Sequence, residues 1–468
     1  MRRAGRCTAV ALCLAAAGCA PSRGALFGPV RGEVERRVGV DVAWHESATD
    51  ARVPAAVRAL IARPLDRDAA VRIAVAMSRR LQASYEELGL AAADVAEATV
   101  LHPLEVDLSH RVALSGPGSE TELEATQDIL SLLQLPQRRA IAGAAVRAAR
   151  ARAVAATVEL VARVESAYYG VVAAEQTREL RRTAFAAATA SADLTERMHR
   201  AGGATDLALV RDRDQREQAR LDLAGAELDA ETRREELNQL LGLHGDATRW
   251  SVVARLPEPP AAPPALDDLE RDAVAASLDL AALRADAEAA AGRVSYARVR
   301  TVLPELGAGV AVSRRDDGEW EAGPALRIGL PLFDWQSGPR ARAHAQLRRA
   351  QDLLAATAVE LRAAARAARQ RALVAHAEAR HLGAVILPLR QRLLEETLLQ
   401  YNAMNASAFE LLVARRAQAD AGRQYIDSLR RYWVSAAEVA ALRRGVMIDP
   451  RGGDPGRSGA ATPSVQGH

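Results

Sequence analysis

The sequence predicts a mainly helical protein that also forms a transmembrane β-barrel shared among copies of the chain. Three observations carry this expectation. Nearly half of the 468 residues are hydrophobic, yet Ala leads them and aromatics make up only 3%. That composition favours long helices in close contact over a bulky core. The chain also reads as two tandem copies of one unit. Each copy holds a pair of strands of about 10 residues with one apolar and one polar face, the length a tilted transmembrane strand needs.

The duplication rests on a nearly constant offset. Pro103 in LHPLEVDL and Pro304 in VLPELGAGV stand 201 positions apart, as do Val158-Glu159-Leu160 and Val359-Glu360-Leu361. HRAGGATDLALV (199–210) aligns without gaps on YNAMNASAFELL (401–412). There Ala201, Ala204 and Leu209 meet Ala403, Ala406 and Leu411, and Thr205 meets Ser407. Copy one spans 66–256 and copy two 266–446, with the Pro-rich linker 257–265 between them.

Each copy opens with a helical segment, at 66–100 and 266–301. A strand pair follows. At 104–132, Leu104, Val106, Leu108, His110, Val112 and Leu114 alternate with Glu105, Asp107, Ser109, Arg111 and Ala113, and Gly116-Pro117-Gly118 makes the turn. A weaker alternation runs from Thr121 to Leu132. At 305–332, Leu306, Ala308, Val310 and Val312 alternate with Glu305, Gly307, Gly309 and Ala311, and Asp316-Asp317-Gly318 is the hairpin signal. Pattern alone fits a transmembrane pair or a soluble hairpin packed on a helix.

Long helices follow at 137–200 and 339–403; ~64 residues extend about 96 Å, too far for a compact domain. Leu382, Ile386, Leu389 and Leu393 have the 4-3-4 spacing of a coiled-coil seam, with Pro388 a candidate kink. Return helices are expected at 205–243 and 407–445, and a disordered tail at 447–468. The tips between long and return helices have cap chemistry. Gly202-Gly203 closes the first helix and Thr205 caps its successor. Asn405 suits the left-handed cap, and Ser407 with Glu410 forms a capping box.

Four strands cannot close a barrel, for which about eight is the small limit. Open strand edges are untenable in lipid. The chain must therefore oligomerise, and three copies supply twelve strands above a twelve-helix tube.

The N-terminus reads as a signal peptide over 1–18: Arg2, Arg3 and Arg6, then the apolar run Cys7 to Ala17. Ala16-Ala17-Gly18-Cys19 resembles the lipobox of bacterial lipoproteins. The resemblance implies a covalent lipid on Cys19, and Ala20 after it is compatible with the outer membrane. An ordinary secretory signal is the other reading. All three cysteines fall at or before 19, so no disulfide or Cys metal site is expected in the mature chain. Segment 19–65 shows no further pattern. No other apolar run reaches 18 residues, so entry into a membrane requires strands. With 62 basic against 59 acidic residues the net charge is +3, which gives no footprint for nucleic acid.

The repeat order, the Pro-led hairpins and the two tips resemble the TolC-like outer-membrane efflux protein family. The segments DAAVRIAVAMSRRLQASYEELGLAAADVAEA (68–98) and GLPLFDWQSGPRARA (329–343) are also similar to family motifs. The resemblance covers about 60–446. It implies a homotrimeric channel crossing the outer membrane and reaching into the periplasm of a Gram-negative bacterium, in a tripartite efflux or type I secretion system. A periplasmic adaptor and an inner-membrane transporter would be its partners. The tips at Gly202, Gly203, Thr205, Met404, Asn405 and Ser407 would receive the adaptor. Glu410 would line the periplasmic aperture, where threefold symmetry would make it a cation-attracting ring, and Asp212 and Asp214 are further candidates for the aperture. Each also has a plainer reading, as turn residues and as capping groups. The family usually carries Gly at the tip, where copy two has Met404. Aromatics are few in the hairpins, chiefly Trp320 and Phe333.

No enzyme is expected. His376 and His381 lie five apart and share a helix face poorly, and there is no HExxH, P-loop or nucleotide-binding Gly fingerprint. No cofactor is implied beyond the lipid. The alternative is a periplasmic coiled-coil adaptor or scaffold without a channel. The cargo, whether drug, metal ion or protein, is left open.

Overall fold

The structure is a computed structural model. It describes residues 22–45, 54–100, 103–112, 114, 119–303, 305–315, 319–329 and 337–448. The leader with Cys19, the turns at 116–118 and 316–318, Pro304, the motif residues 330–336 with Phe333, and the tail from 449 lie outside the described residues.

Helices α1 (Arg23–Val38), α2 (Ala55–Ile61), α3 (Arg67–Met77) and α4 (Arg79–Thr99) precede strands β1 (Glu105–Val112) and β2 (Ser119–Asp128). Helices α5 (Ile129–Arg200) and α6 (Asp206–Leu241) follow. The second half runs α7 (Leu269–Ala276), α8 (Leu278–Val302), β3 (Glu305–Arg315), β4 (Trp320–Gly329), α9 (Ser337–His381), a π-helical turn (Leu382–Ile386), α10 (Leu387–Asn402) and α11 (Ala408–Arg443). The chain forms two compact units that cut across the two halves. One takes 83–154 and 278–359 with the start of α1, and the other takes 34–82, 155–277 and 360 onward.

The first unit holds one antiparallel sheet in the order β1-β2-β3-β4. Val106 pairs with Ala125, Ala125 with Val310 and Val310 with Pro324. Paired residues point to the same side, so the period-2 pattern sorts the sheet into two faces. One carries Val106, Leu108, Val112, Leu123, Val310, Leu326 and Ile328, all exposed. The other carries Glu105, Asp107, Glu122, Glu124 and Arg327. Pro324 lies on β4, an edge strand, where a residue without an N–H is tolerated.

The first strand pair is shorter than its pattern suggested, ending at Asp128 rather than 132. Asp128 Oδ1 accepts from the Ser131 N–H at 3.1 Å, and the helix begins at Ile129, eight residues before the expected 137. Ile129, Leu130, Leu132 and Leu133 are apolar at spacings that suit either period, so capping rather than patterning decides the boundary. Pro136 is accommodated inside α5. Further along, a Cβ on Gly292 would lie 2.6 Å from Ile141 Cγ1, so α8 approaches α5 closely only because that position is bare.

The expected single helices at 66–100 and 266–301 are each two. The breaks fall at Ser78 (ψ 107°) and Ser277 (ψ 120°). Ser78 Oγ accepts from the Leu81 N–H at 3.2 Å, the local bond by which Ser competes with a continuing helix.

In the second unit small side chains do most of the packing: Ala162, Ala365, Ala368, Ala379 and Ala441 are fully buried. The few aromatics are concentrated. Tyr169 stacks on Trp433 with centroids 5.3 Å apart, and Tyr432 meets both Trp433 and His376 edge-on. Trp433 Nε1 donates to Pro257 O at 2.8 Å and His376 Nε2 lies 2.8 Å from Pro260 O, so the Pro-rich linker is pinned to α9 and α11. The segment that showed no pattern supplies α1, whose Arg37 Nη1 donates to Ala276 O at 2.8 Å and Arg444 O at 2.7 Å.

The expected seam on the second long helix is only half realised. Leu382 and Ile386 are half-buried, but Leu389 is 56% and Leu393 47% exposed. The π-helical turn accounts for this. It lies just ahead of Pro388, whose ring would clash with the carbonyl four residues back. The wider turn shifts the register, and Leu394 and Thr397 become the half-buried positions. A Cβ on Gly383 would sit 2.8 Å from Tyr425 Cε2, so α11 packs against the turn through a ring.

Candidate functional site

Both tips are built by one backbone device. In the first, Gly202 takes φ 77° and the Gly203 N–H bonds to Met198 O at 2.8 Å. In the second, Met404 takes φ 61° and the Asn405 N–H bonds to Gln400 O at 2.9 Å. A left-handed residue followed by a bond five residues back is the Schellman ending, which satisfies carbonyls the helix leaves open. The left-handed residue is therefore Met404 and not Asn405, as its side chain had suggested. The helix fixes the position by where its last bonds close, and Asn405 falls one place beyond.

The next helix is capped in each case. Thr205 Oγ1 accepts from the Ala208 N–H at 3.2 Å. Ser407 Oγ accepts from the Glu410 N–H at 3.2 Å, and Glu410 Oε2 accepts from the Ser407 N–H at 2.7 Å and its hydroxyl at 3.0 Å. The Ser407 backbone N–H, with the hydroxyl behind it, holds the Glu410 carboxyl below the usual glutamate range. Gly202, Gly203, Met404 and Asn405 are all exposed, Met404 at 93%.

The two acidic residues placed behind the first tip differ. Asp214 is exposed. Asp212 is half-buried and turned into its own hairpin, where Oδ2 accepts from Thr195 Oγ1 at 2.6 Å and Ser191 Oγ at 3.1 Å. Sequence reasoning missed this clasp, although Thr195 and Asp212 are nearly equidistant from the tip and so face each other in an antiparallel hairpin. It also missed His199, whose Nδ1 lies 3.0 Å from Ala204 O and whose Nε2 lies 3.4 Å from Asp206 Oδ1, a brace across the first tip. The Arg211 guanidinium lies 5.5 Å from the centroid of the Phe409 ring, which brings α6 and α11 together just behind the tips.

The other candidate site is the sheet. Its apolar face is exposed along every strand, and β1 and β4 each have one unpaired edge. Among the described residues, no group of three or more His, Cys, Asp or Glu is placed to hold a metal ion. No helix among them is long and apolar enough to cross a membrane.

No described protein family and no curated relative matches the sequence. Solved structures do match the fold. The outer membrane protein VceC from Vibrio cholerae superposes with a TM-score of 0.67 at 16% identity, over 82% of this chain and 97% of that one. The Campylobacter jejuni CmeC outer membrane channel gives 0.68 at 15% identity, over 81% and 85%. The fold is that of outer-membrane channel proteins. The channel fold also matches the open state of the Neisseria gonorrhoeae MtrE outer membrane channel, with a TM-score of 0.58 at 19% identity over 81% and 89% of the two chains.

Proposed function

We propose that this chain is one subunit of a passive export channel, the outer-membrane component of a tripartite efflux or type I secretion system. Two tandem repeats each contribute two strands, and three copies close a twelve-stranded barrel in the outer membrane. The helical tips point into the periplasm, where an adaptor and an inner-membrane transporter dock. Cys19 carries a lipid that adds to the anchoring.

The observation that carries this reading is the four-stranded sheet with an exposed apolar face and two unpaired edges. In water such a face and such edges are an aggregation hazard. In lipid the face is an asset and the edges must be paired, which further copies provide. The matched channel fold supports the same reading, whereas a soluble adaptor would leave that face and those edges in water. The shared Schellman tips and the breaks at Ser78 and Ser277 support the duplication.

The test is the native mass of protein extracted from the membrane fraction in mild detergent. A trimer that resists mild denaturation is expected. A monomer in the soluble periplasmic fraction would overturn the proposal.

A further inference from the structure

Arg327 brings side chains of all four strands together. It stands on β4, and its guanidinium lies 2.8 Å from Glu105 and 3.6 Å from Asp107 on β1. Glu124 on β2 is 3.6 Å away, and Glu305 on β3 is 4.0 Å away. In a flat sheet β1 and β4 would be about 14 Å apart, three strand spacings. A direct contact between their side chains requires the polar face to be the concave one. Burial agrees. Thr126, on the polar face, is 3% exposed, while Leu108 and Leu326 on the other face are 71% and 68% exposed. The route across β3 is open because Gly307 and Gly309 carry no side chains; a Cβ at Gly309 would run into the Ala125 carbonyl.

The concave face is unequally charged. Register places Glu105, Asp107, Glu120, Glu122, Glu124, Asp128, Glu305 and Glu321 on it, against Arg111, Arg315 and Arg327. Arg111 is matched to Glu122 at 3.4 Å. Arg327 faces four carboxylates at once, so its single charge leaves an excess that it can only reduce.

Resting on the channel reading above, we propose that Arg327 is a specificity-determining residue of the pore, a fixed counter-ion that limits cation preference in an acidic belt lining the strand section. Charges fixed on the inner wall of a pore bias which ions enter, and they do so by their summed field without chelating anything. Removing Arg327 exposes the full carboxylate charge, and removing carboxylates weakens it. The two changes must therefore move selectivity in opposite directions, which a general loss of structure cannot imitate.

The experiment is the reversal potential of the full-length protein in planar bilayers across a KCl gradient. Arg327→Gln is expected to raise the K⁺ to Cl⁻ permeability ratio about two-fold or more, and the double variant Glu122→Gln/Glu124→Gln to lower it by a similar factor. If Arg327→Gln does not assemble, the double variant reads the same belt by itself. Conducting channels with an unchanged ratio in the double variant would overturn the inference and leave the channel reading standing. A ratio that responds only to Glu410→Gln would place selectivity at the tips and overturn it equally. Failure of the wild-type protein to conduct at all would instead remove the channel reading on which it rests.

Discussion

Met404 occupies the left-handed position that Gly202 fills at the other tip, with φ 61° against 77°. A side chain there costs roughly 1–2 kcal/mol, because Cβ crowds the following carbonyl. The tip bonds that depend on this residue are the Asn405 and Ala406 N–H groups, both donated to Gln400 O. Met404→Gly is expected to slow amide exchange at Asn405 and Ala406, by about five-fold if about 1 kcal/mol is recovered. Gly202→Ala should do the reverse at Gly203, since a Cβ there meets no neighbour and the conformation alone carries the cost. Equal exchange in wild type and variants would show that neither tip is strained. Glu410 gives a pH prediction of definite sign. Its carboxyl is held below the usual range by the Ser407 backbone N–H and hydroxyl. The capping contribution is therefore complete above the ordinary glutamate value and is lost as pH falls through the lowered one. Acid should fray the start of α11 in the wild type more than in Glu410→Gln, followed by exchange at Leu411. At Asn405, side-chain preference named a plausible cap, but hydrogen-bond closure chose its neighbour Met404.

Some helices here end where a side chain finds an orphaned backbone group, and this reaches into a segment without any pattern. Arg37 on α1 donates to the last carbonyl of α7 and to Arg444 just past α11, while Arg444 itself lies 3.3 Å from the buried carboxylate of Glu165. A cation at a helix C-terminus also suits the helix dipole. Charge-assisted bonds of this kind contribute about 2 kcal/mol, so Arg37→Met should speed exchange at Leu442 and at Val446 just past the helix well beyond the middle of α11. Unchanged protection there would mean that the staple is incidental. The long helices, both caps and the period-2 strands were legible because each is written in consecutive residues. The serine breaks, the early start of α5 at Ile129 and the rotated seam after Leu382 were not. At Ser78, Ile129 and Leu382, one local hydrogen bond or one proline outweighed a pattern spread over many residues.

The two sequence halves are not the two compact units, since each unit draws strands or helices from both halves. The compact units therefore follow a different division from the two sequence halves. The sequence by itself determined the helical class, the strand pairs with their two faces, and the tips with their caps. Those features depend on residue spacing and on neighbours within a turn, which a linear text records directly. Only the tertiary structure decided which strands adjoin, that the polar face is concave, that Asp212 is turned inward, and that Arg327 faces carboxylates from three other strands. Each of these depends on residues far apart in sequence being brought within a few ångströms, and no spacing in the chain encodes the curvature that does so.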